Sequence, residues 1–157
     1  MNTTDWVFLD AGLFIGALLS GDSRHIEARP IVEAARRGEF AACTSVGVLA
    51  EVYAALTWIG AQPTQTPEVA SHAVSLLVTN PSAIRVLETG VDAGKKMLEL
   101  AAHYRLTARR IHDARHAATA LVAGVRQVYT YDIDDWQVFQ PDGLVIIDPK
   151  SRTPSSV

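Results

Sequence analysis

Residues 6–19 read WVFLDAGLFIGALL, an apolar stretch with a single charged residue, Asp10. The four residues before Asp10 have the aromatic and β-branched composition of a short buried strand. The apolar residues after it predict a helix over 12–19. A buried strand that leads directly into a helix is typical of parallel α/β sheets. This stretch therefore predicts an α/β fold in which Asp10 ends a strand.

Four other short segments have the same strand-like composition and are too short to form a good helix. Together with the segment 6–9, the predicted strands are residues 40–44, 83–87, 127–130 and 144–147. Stretches with apolar residues at helical spacing, such as 46–56 and 97–102, lie between them. Strands that alternate with helices build a parallel sheet covered on both faces. We therefore expect a three-layer α/β/α sandwich with a central, mainly parallel five-stranded sheet.

The composition fits one globular domain. The chain has 157 residues, of which 48% are apolar and 20% are charged, and these values are ordinary for a single core. We expect one domain over residues 1–148 and a disordered tail over residues 149–157. No apolar run approaches the roughly 20 residues of a membrane span, so we expect no membrane association. The single cysteine, Cys43, indicates a buried thiol in a reducing compartment and hence a cytoplasmic protein.

Four acidic residues are candidates for a site, because ligands of open parallel sheets bind at the carboxyl ends of the strands. Asp10 ends the first predicted strand, and Asp132 follows the fourth. Glu51 lies about two turns inside a helix, among small and apolar neighbours that make an unpaired charge unfavourable. Asp113 begins a late helix of small residues. These positions favour four carboxylates gathered at one edge of the sheet.

Each of these acids also has a structural explanation that needs no chemistry. Asp10 and Asp113 could cap helices, where the helix dipole favours an acid. Glu51 could face solvent on an amphipathic helix. Asp132 belongs to the acidic segment DIDD, which is also typical of a turn. The functional interpretation therefore depends on the four residues acting together.

Four carboxylates brought together raise one another's pKa unless a cation neutralises them. Mg²⁺ and Mn²⁺ prefer oxygen ligands, and a few carboxylates with substrate phosphate complete their coordination. Such sites hydrolyse phosphodiesters with a metal-activated water. We therefore expect Asp10, Glu51, Asp113 and Asp132 to bind Mg²⁺ or Mn²⁺ and to catalyse phosphodiester hydrolysis.

Basic residues cluster around Asp113 in a chain whose formal net charge is −3. That net charge argues against a general electrostatic attraction to nucleic acid, so binding would need a local basic patch. Arg110 and Arg115 are our candidates for contacts with substrate phosphate, because arginine binds phosphate through paired N–H groups. A solvated, partly basic helix start is the alternative.

The acidic motifs resemble those of PIN-domain nucleases, especially the VapC-type toxins of toxin-antitoxin pairs. The similarity spans residues 7–147 and rests on four segments in order, VFLDAGLFIGALL, SVGVLAEV, RLTARRIHDARHAATALVAGV and VYTYDIDDW. The resemblance implies a PIN-like fold and Mg²⁺- or Mn²⁺-dependent cleavage of RNA. It also implies a homodimer and inhibition by a cognate antitoxin protein.

The resemblance also assigns roles to individual residues. The catalytic and metal-binding acids of the family fall on Asp10, Glu51, Asp113 and Asp132. Thr130 is the usual hydroxyl neighbour of the last acid and is expected among the substrate-binding residues. A second acid of the last turn falls on Asp135, which is a candidate for an auxiliary metal ligand.

The chain departs from the family at Gly12, since many members have Ser, Thr or Asn two residues after the first Asp. One alternative is a phosphatase with an aspartyl nucleophile at Asp10, but Gly12 does not supply the second acid that such an enzyme needs. Another alternative is a catalytically silent PIN-like module that binds RNA or protein. The presence of all four acids argues against that alternative.

Two further expectations concern apolar surfaces. Four aromatic residues could stack on bases, but aromatics at helical spacing more often belong to the core; these are Tyr53, Trp58, Trp136 and Phe139. Predicted helices over 29–38 and 46–59 leave an apolar groove that an antitoxin helix or tail could occupy.

Overall fold

The computed structural model describes residues 5–151, and it contains the five expected strands. These are β1 Val7–Leu9, β2 Ala42–Ser45, β3 Arg85–Leu87, β4 Gln127–Tyr129 and β5 Val145–Ile147. Their order in the sheet is β3-β2-β1-β4-β5, and every pairing is parallel. All residues of the central strand β1 are buried, as its continuous apolar sequence predicts. The predicted α/β fold with a five-stranded parallel sheet is confirmed.

Helices connect the strands and cover the sheet. Within residues 5–151 they are α1 Ala11–Leu18, α2 His25–Arg36, α3 Val46–Thr57, α4 Pro67–Val78, α5 Val91–His103, α6 Ile111–Val122 and the short α7 Ile133–Trp136. Right-handed crossovers place α1 to α4 on one face of the sheet and α5 and α6 on the other. Accordingly, α1 packs against α2 and α3, and α5 packs against α6.

Several helices begin at side chains that satisfy free backbone N–H groups. Asp10 accepts a hydrogen bond from the backbone of Ala11 at the start of α1. Ser45, the last residue of β2, accepts one from Val48 at the start of α3. These caps fix the points at which strands turn into helices. They also determine the position of the first turn of each helix at the sheet edge.

The order of the strands creates a crevice between β1 and β4. The chain runs from β1 outwards to β2 and β3, and then returns across the sheet to β4 and β5. Connections that leave the neighbouring strands β1 and β4 therefore run in opposite directions. Such a switch point is the usual position of a ligand site in open α/β sheets. Asp10 follows β1 directly, and Asp132 follows β4 closely.

The aromatic residues divide between core and surface. Trp136 and Phe139 are buried, as expected for core residues. Trp58 is 64% exposed and Tyr53 is also exposed, so the prediction that they belong to the core is wrong. Both lie on or just after α3, whose buried residues are Val48, Val52 and Leu56. Their positions place them outside that buried stripe.

The end of the chain is described as far as residue 151. Pro149–Ser151 forms a turn of 3-10 helix, and Pro149 is buried. This turn falls within the predicted tail, 149–157, whose remaining residues lie outside the described part. The predicted domain boundary at residue 148 stays a prediction. No helix within residues 5–151 has both the length and the apolarity to cross a membrane.

We predict that Cys43 is chemically silent in the folded protein. Its side chain is fully buried in β2, and burial raises the pKa of its thiol to about 12. Because the thiolate is the reactive form, a disulfide reagent such as DTNB should react only after denaturation with guanidinium. Rapid reaction of one thiol in the native protein at pH 8 would contradict this placement.

Candidate metal centre

The four predicted acids converge at the edge of the sheet between β1 and β4. The negative charges of Asp113 and Asp132 both interact with that of Asp10. Asp132 also interacts electrostatically with Glu51. These residues come from two strand ends and from the helices α3 and α6. The fold therefore brings together carboxylates that are as far apart in the sequence as Asp10 and Asp132.

Asp10 is the buried centre of this cluster, with only 5% of its surface exposed. Its Oδ1 accepts a hydrogen bond of 2.9 Å from the backbone N–H of Ala11. Its Oδ2 accepts one of 2.7 Å from the Thr130 hydroxyl and one of 3.1 Å from the Trp136 indole N–H. A carboxylate can accept at about four lone-pair positions. Asp10 is thus held in one orientation and retains an acceptor position for a cation.

Glu51 is oriented by a residue on the opposite helix. The Nε2 of His116, in α6, lies 2.7 Å from the Oε1 of Glu51, in α3. The side chain of His116 is only 3% exposed. Burial raises the pKa of Glu51, but the hydrogen bond and charge of His116, with the charges of Arg115 and His112, produce a net lowering. Glu51 is therefore favoured as a carboxylate.

Asp113 and Asp132 carry negative charge that the described residues do not fully neutralise. The pKa of Asp113 is raised by burial and by Asp135 and Asp10, against the opposing effect of Arg110. Asp132 is exposed as a residue, but partial desolvation of its carboxyl and the charges of Asp10, Asp135 and Glu51 raise its pKa, against the opposing effect of Arg24. A raised carboxyl pKa means that the site disfavours the charged form. A bound cation would reverse this preference.

The donor atoms fit a divalent cation. One ligand atom from each of Asp10, Glu51 and His116 lies within 4.8 Å of the others. Asp113 and Asp132 add carboxylates whose charges act on Asp10. Carboxylate oxygens suit Mg²⁺ and Mn²⁺, and an imidazole nitrogen is better suited to a transition metal. The residues therefore fit Mg²⁺ or Mn²⁺, and His116 is either a ligand or the partner that positions Glu51.

The predicted substrate-binding residues have different surroundings from those expected. Thr130 is fully buried; its hydroxyl donates to Asp10 and accepts from the backbone N–H of Asp132. The Thr130 side chain is thus enclosed and joins two acids of the site, and a contact between Thr130 and substrate stays a prediction. Arg110 lies 3.4 Å from the Oδ2 of Asp113 and donates to the backbone oxygen of Asp135.

Arg115 and Asp135 keep their predicted places beside the cluster. Arg115 is partly buried, and its guanidinium packs against Gly47 of α3. It is close enough for its charge to lower the pKa of Glu51, although burial and His116 have larger effects on that group. Asp135 is exposed, with a carboxylate 3.9 Å from Arg110. Phosphate binding by the arginines and metal binding by Asp135 stay predictions.

Three residues of the site were not singled out from the sequence. His116 lies three residues after Asp113, a spacing that places the two side chains on one side of a helix and could have indicated it. Trp136 was expected only in the core, but its indole N–H also donates a hydrogen bond to Asp10. Arg24 lies beside Asp132 and comes from the segment between α1 and α2, where the sequence gives no signal for it.

We predict that Trp136→Phe destabilises the metal-free protein. The substitution removes a donor to the buried carboxylate of Asp10, and the loss of such a hydrogen bond costs about 1–3 kcal/mol. The same change at the exposed Trp58 should cost less than about 0.5 kcal/mol. Urea unfolding in EDTA measures both values.

The missing ring volume at position 136 also contributes to this loss. A double-mutant cycle with Asp10→Ala, which removes the acceptor, isolates the indole–carboxylate interaction from the change in packing. Purely additive effects of Trp136→Phe and Asp10→Ala would contradict the interaction.

Comparisons with known proteins agree with this architecture. A PIN domain family profile matches residues 7–138. A comparison with curated proteins gave no match. Similar solved structures include VapC20 of Mycobacterium tuberculosis, a sarcin-ricin loop cleaving toxin, at 21% sequence identity and a TM-score of 0.68. The alignment covers 91% of this chain and 99% of that toxin.

Two structures of toxin-antitoxin systems have the same fold. VapBC-1 from nontypeable Haemophilus influenzae is 18% identical with a TM-score of 0.64, and the alignment covers 92% of this chain and 98% of that one. A toxin-antitoxin complex from Klebsiella pneumoniae is 20% identical with a TM-score of 0.60, covering 91% and 97%. At these identities the structures support the fold alone. The family profile spans most of the sequence, and this chain therefore belongs to the PIN-domain family.

Proposed function

We propose that this protein is a Mg²⁺- or Mn²⁺-dependent endoribonuclease and the toxin of a toxin-antitoxin pair. The observation that carries the proposal is the convergence of Asp10, Glu51, Asp113 and Asp132 at the crevice between β1 and β4. Membership of the PIN-domain family supports nuclease activity. A sarcin-ricin loop cleaving toxin among the similar structures supports RNA as the substrate class.

The four acids would hold the metal, with Asp135 as an auxiliary ligand. Held by these residues, a divalent ion would supply activation of a water and stabilisation of the charge on the phosphate oxygens. The protein supplies ligands that are already oriented. Thr130 and Trp136 hold Asp10 through hydrogen bonds, and His116 holds Glu51. This support reduces the reorganisation that the reaction requires.

A protein partner is supported by an apolar groove beside α1 and α3. The groove is lined by Ile15, Leu19, Ala55, Trp58 and polar residues of the neighbouring loops. It lies between α1 and the end of α3, whereas the sequence suggested a groove between the helices now described as α2 and α3. We assign this groove to the cognate antitoxin, which would dock an apolar segment there.

The homodimer and the cytoplasmic location are part of the same proposal. Exposed apolar residues on α5 and at the end of α6 support an interface between two copies of the chain; they are Val91, Leu98 and Val122. The single buried thiol of Cys43 is consistent with a reducing compartment.

Cleavage of RNA should require Mg²⁺ or Mn²⁺ and the carboxylate of Asp10. We expect Asp10→Asn to lower the cleavage rate by at least about 100-fold, because it removes a ligand charge from the metal site. Asp5→Asn is the matched control, since Asp5 precedes the same strand and lies at the opposite edge of the sheet. Gel analysis of a labelled RNA pool measures the rates.

Full cleavage by the purified Asp10→Asn variant would refute the four-acid site. A silent binding module would instead bind the RNA without cleaving it under any of these conditions.

Asp132→Asn should have opposite effects on stability with and without metal. The raised pKa of Asp132, caused by partial desolvation and by Asp10 and Asp135, means that its charge destabilises the metal-free fold above that pKa. The variant should therefore have a higher Tm than the wild type in EDTA at pH 7.5. In Mn²⁺ at 100 times Kd, the wild type should gain about 2.7 kcal/mol, and the variant should gain clearly less.

Calorimetry in EDTA and in Mn²⁺ tests both parts, with Asp5→Asn again as the control. A lower Tm for Asp132→Asn in EDTA, or an equal response to Mn²⁺, would be incompatible with a shared cation site.

A further inference from the structure

Arg24 presents a fixed guanidinium beside the acidic cluster. It directly precedes α2, and its side chain forms two hydrogen bonds with Asp22, Nε to Oδ1 at 2.9 Å and Nη2 to Oδ2 at 2.8 Å. The guanidinium carbon lies 5.5 Å from the centre of the Tyr131 ring. The Tyr131 hydroxyl in turn donates to Glu27 at 2.7 Å. Both the ion pair and the ring therefore restrict the orientation of this arginine.

The third nitrogen of the guanidinium is free to bind a ligand. No hydrogen bond among residues 5–151 uses Nη1 of Arg24. The side chain is 30% exposed, so this nitrogen belongs to a partly enclosed and still accessible group. Its two N–H groups can donate to an anion while Asp22 holds the other edge of the guanidinium. An anion bound there would find a donor that is already oriented.

Gly12 makes room for this nitrogen. A Cβ atom at position 12 would lie only 2.8 Å from Nη1 of Arg24 and 3.2 Å from Cδ2 of Tyr131. Gly12 is buried in the first turn of α1, two residues after Asp10. The absence of a side chain at position 12 thus allows a cation to approach the start of α1. Nη1 consequently lies over the turn that follows the central carboxylate.

Arg24 lies beside the acidic cluster. Arg24 and Asp132 are close enough for their charges to attract each other. Arg110, on the other side of the site, is bonded to Asp113 and to the backbone of Asp135. Arg115 is partly buried against Gly47. Arg24 is distinguished by a guanidinium whose Nε and Nη2 are both held by Asp22, which leaves Nη1 unused on a partly accessible group.

We infer that Arg24 binds a backbone phosphate of the RNA through Nη1, and that Gly12 provides the space for this contact. The inference rests on the proposed ribonuclease function and assigns a substrate-binding residue to it. A phosphate at this position would lie next to the acidic cluster and would orient the strand across the crevice. Asp22 and Tyr131 hold the guanidinium in place beforehand, which reduces the entropy lost on binding.

The test compares RNA binding by variants that share the substitution Glu51→Gln, which removes the proposed cleavage. Fluorescence anisotropy with a labelled 12-nucleotide single-stranded RNA in Mn²⁺ gives Kd at several salt concentrations. Adding Arg24→Gln should weaken binding roughly tenfold and reduce the salt slope by about 0.7, the value for one phosphate contact with a single strand. Arg37→Gln is the control, because it removes the same charge at the far end of α2.

A second variant keeps Arg24 and fills the space beside its Nη1. Gly12→Ala places a methyl group against Nη1, so it should also weaken binding, and the combination with Arg24→Gln should be no weaker than Arg24→Gln alone. A melting curve shows whether Arg24→Gln folds. If it does not, Gly12→Ala still tests the inference. Equal Kd values and salt slopes for Arg24→Gln and Arg37→Gln, or full affinity of Gly12→Ala, would overturn the inference.

Cleavage by the wild-type protein is measured separately. If the wild type cleaves RNA but Arg24→Gln does not weaken RNA binding, only the role of Arg24 is contradicted. If the wild type does not cleave RNA but Arg24→Gln still weakens RNA binding, the ribonuclease proposal is contradicted and the phosphate-binding site remains. Absence of any RNA binding by the Glu51→Gln protein contradicts both.

Discussion

The site is organised around the burial of one charge, the carboxylate of Asp10 at the end of the central strand. Burying an ionised carboxylate is highly unfavourable unless it is paired and hydrogen-bonded. Donors from Ala11, Thr130 and Trp136 meet this requirement. The last two come from the segment that follows β4, so the pairing of β4 with β1 is what delivers them. The geometry of the site therefore depends directly on the order of the strands.

The remaining acids destabilise the metal-free fold, but they also provide ligands for a cation. Glu51 has a compensating partner in His116, on a helix from the other side of the sheet. Asp113 and Asp132 lack full compensation, since partial desolvation and neighbouring acids both raise their pKa. A fold that retains this repulsion gives up stability in the metal-free state in exchange for a ready ligand set. Such a balance is expected of a cation site and not of a set of helix caps.

The sequence was sufficient for the fold because the decisive signals are local. Short apolar runs bounded by helices predicted five parallel strands, and the position of Asp10 and Asp132 after strands placed them at one edge. Side-chain pairings across long separations could not be predicted in this way, because they depend on how helices pack. Glu51 and His116 meet from α3 and α6, and Arg24 reaches the space left by Gly12. The burial of Thr130 likewise follows from the packing around β4, and a local sequence pattern cannot predict that packing.

The central claim is that these carboxylates bind a divalent cation between β1 and β4. Crystals grown with MnCl₂ and measured at the manganese absorption edge test it most directly, since anomalous scattering locates the ion without assumptions about activity. The account predicts an anomalous peak at about 2.0–2.3 Å from a carboxylate oxygen of Asp10, with Glu51, Asp113 or Asp132 completing its protein ligands. An empty crevice at saturating Mn²⁺, or manganese bound only at other acidic residues, would contradict it.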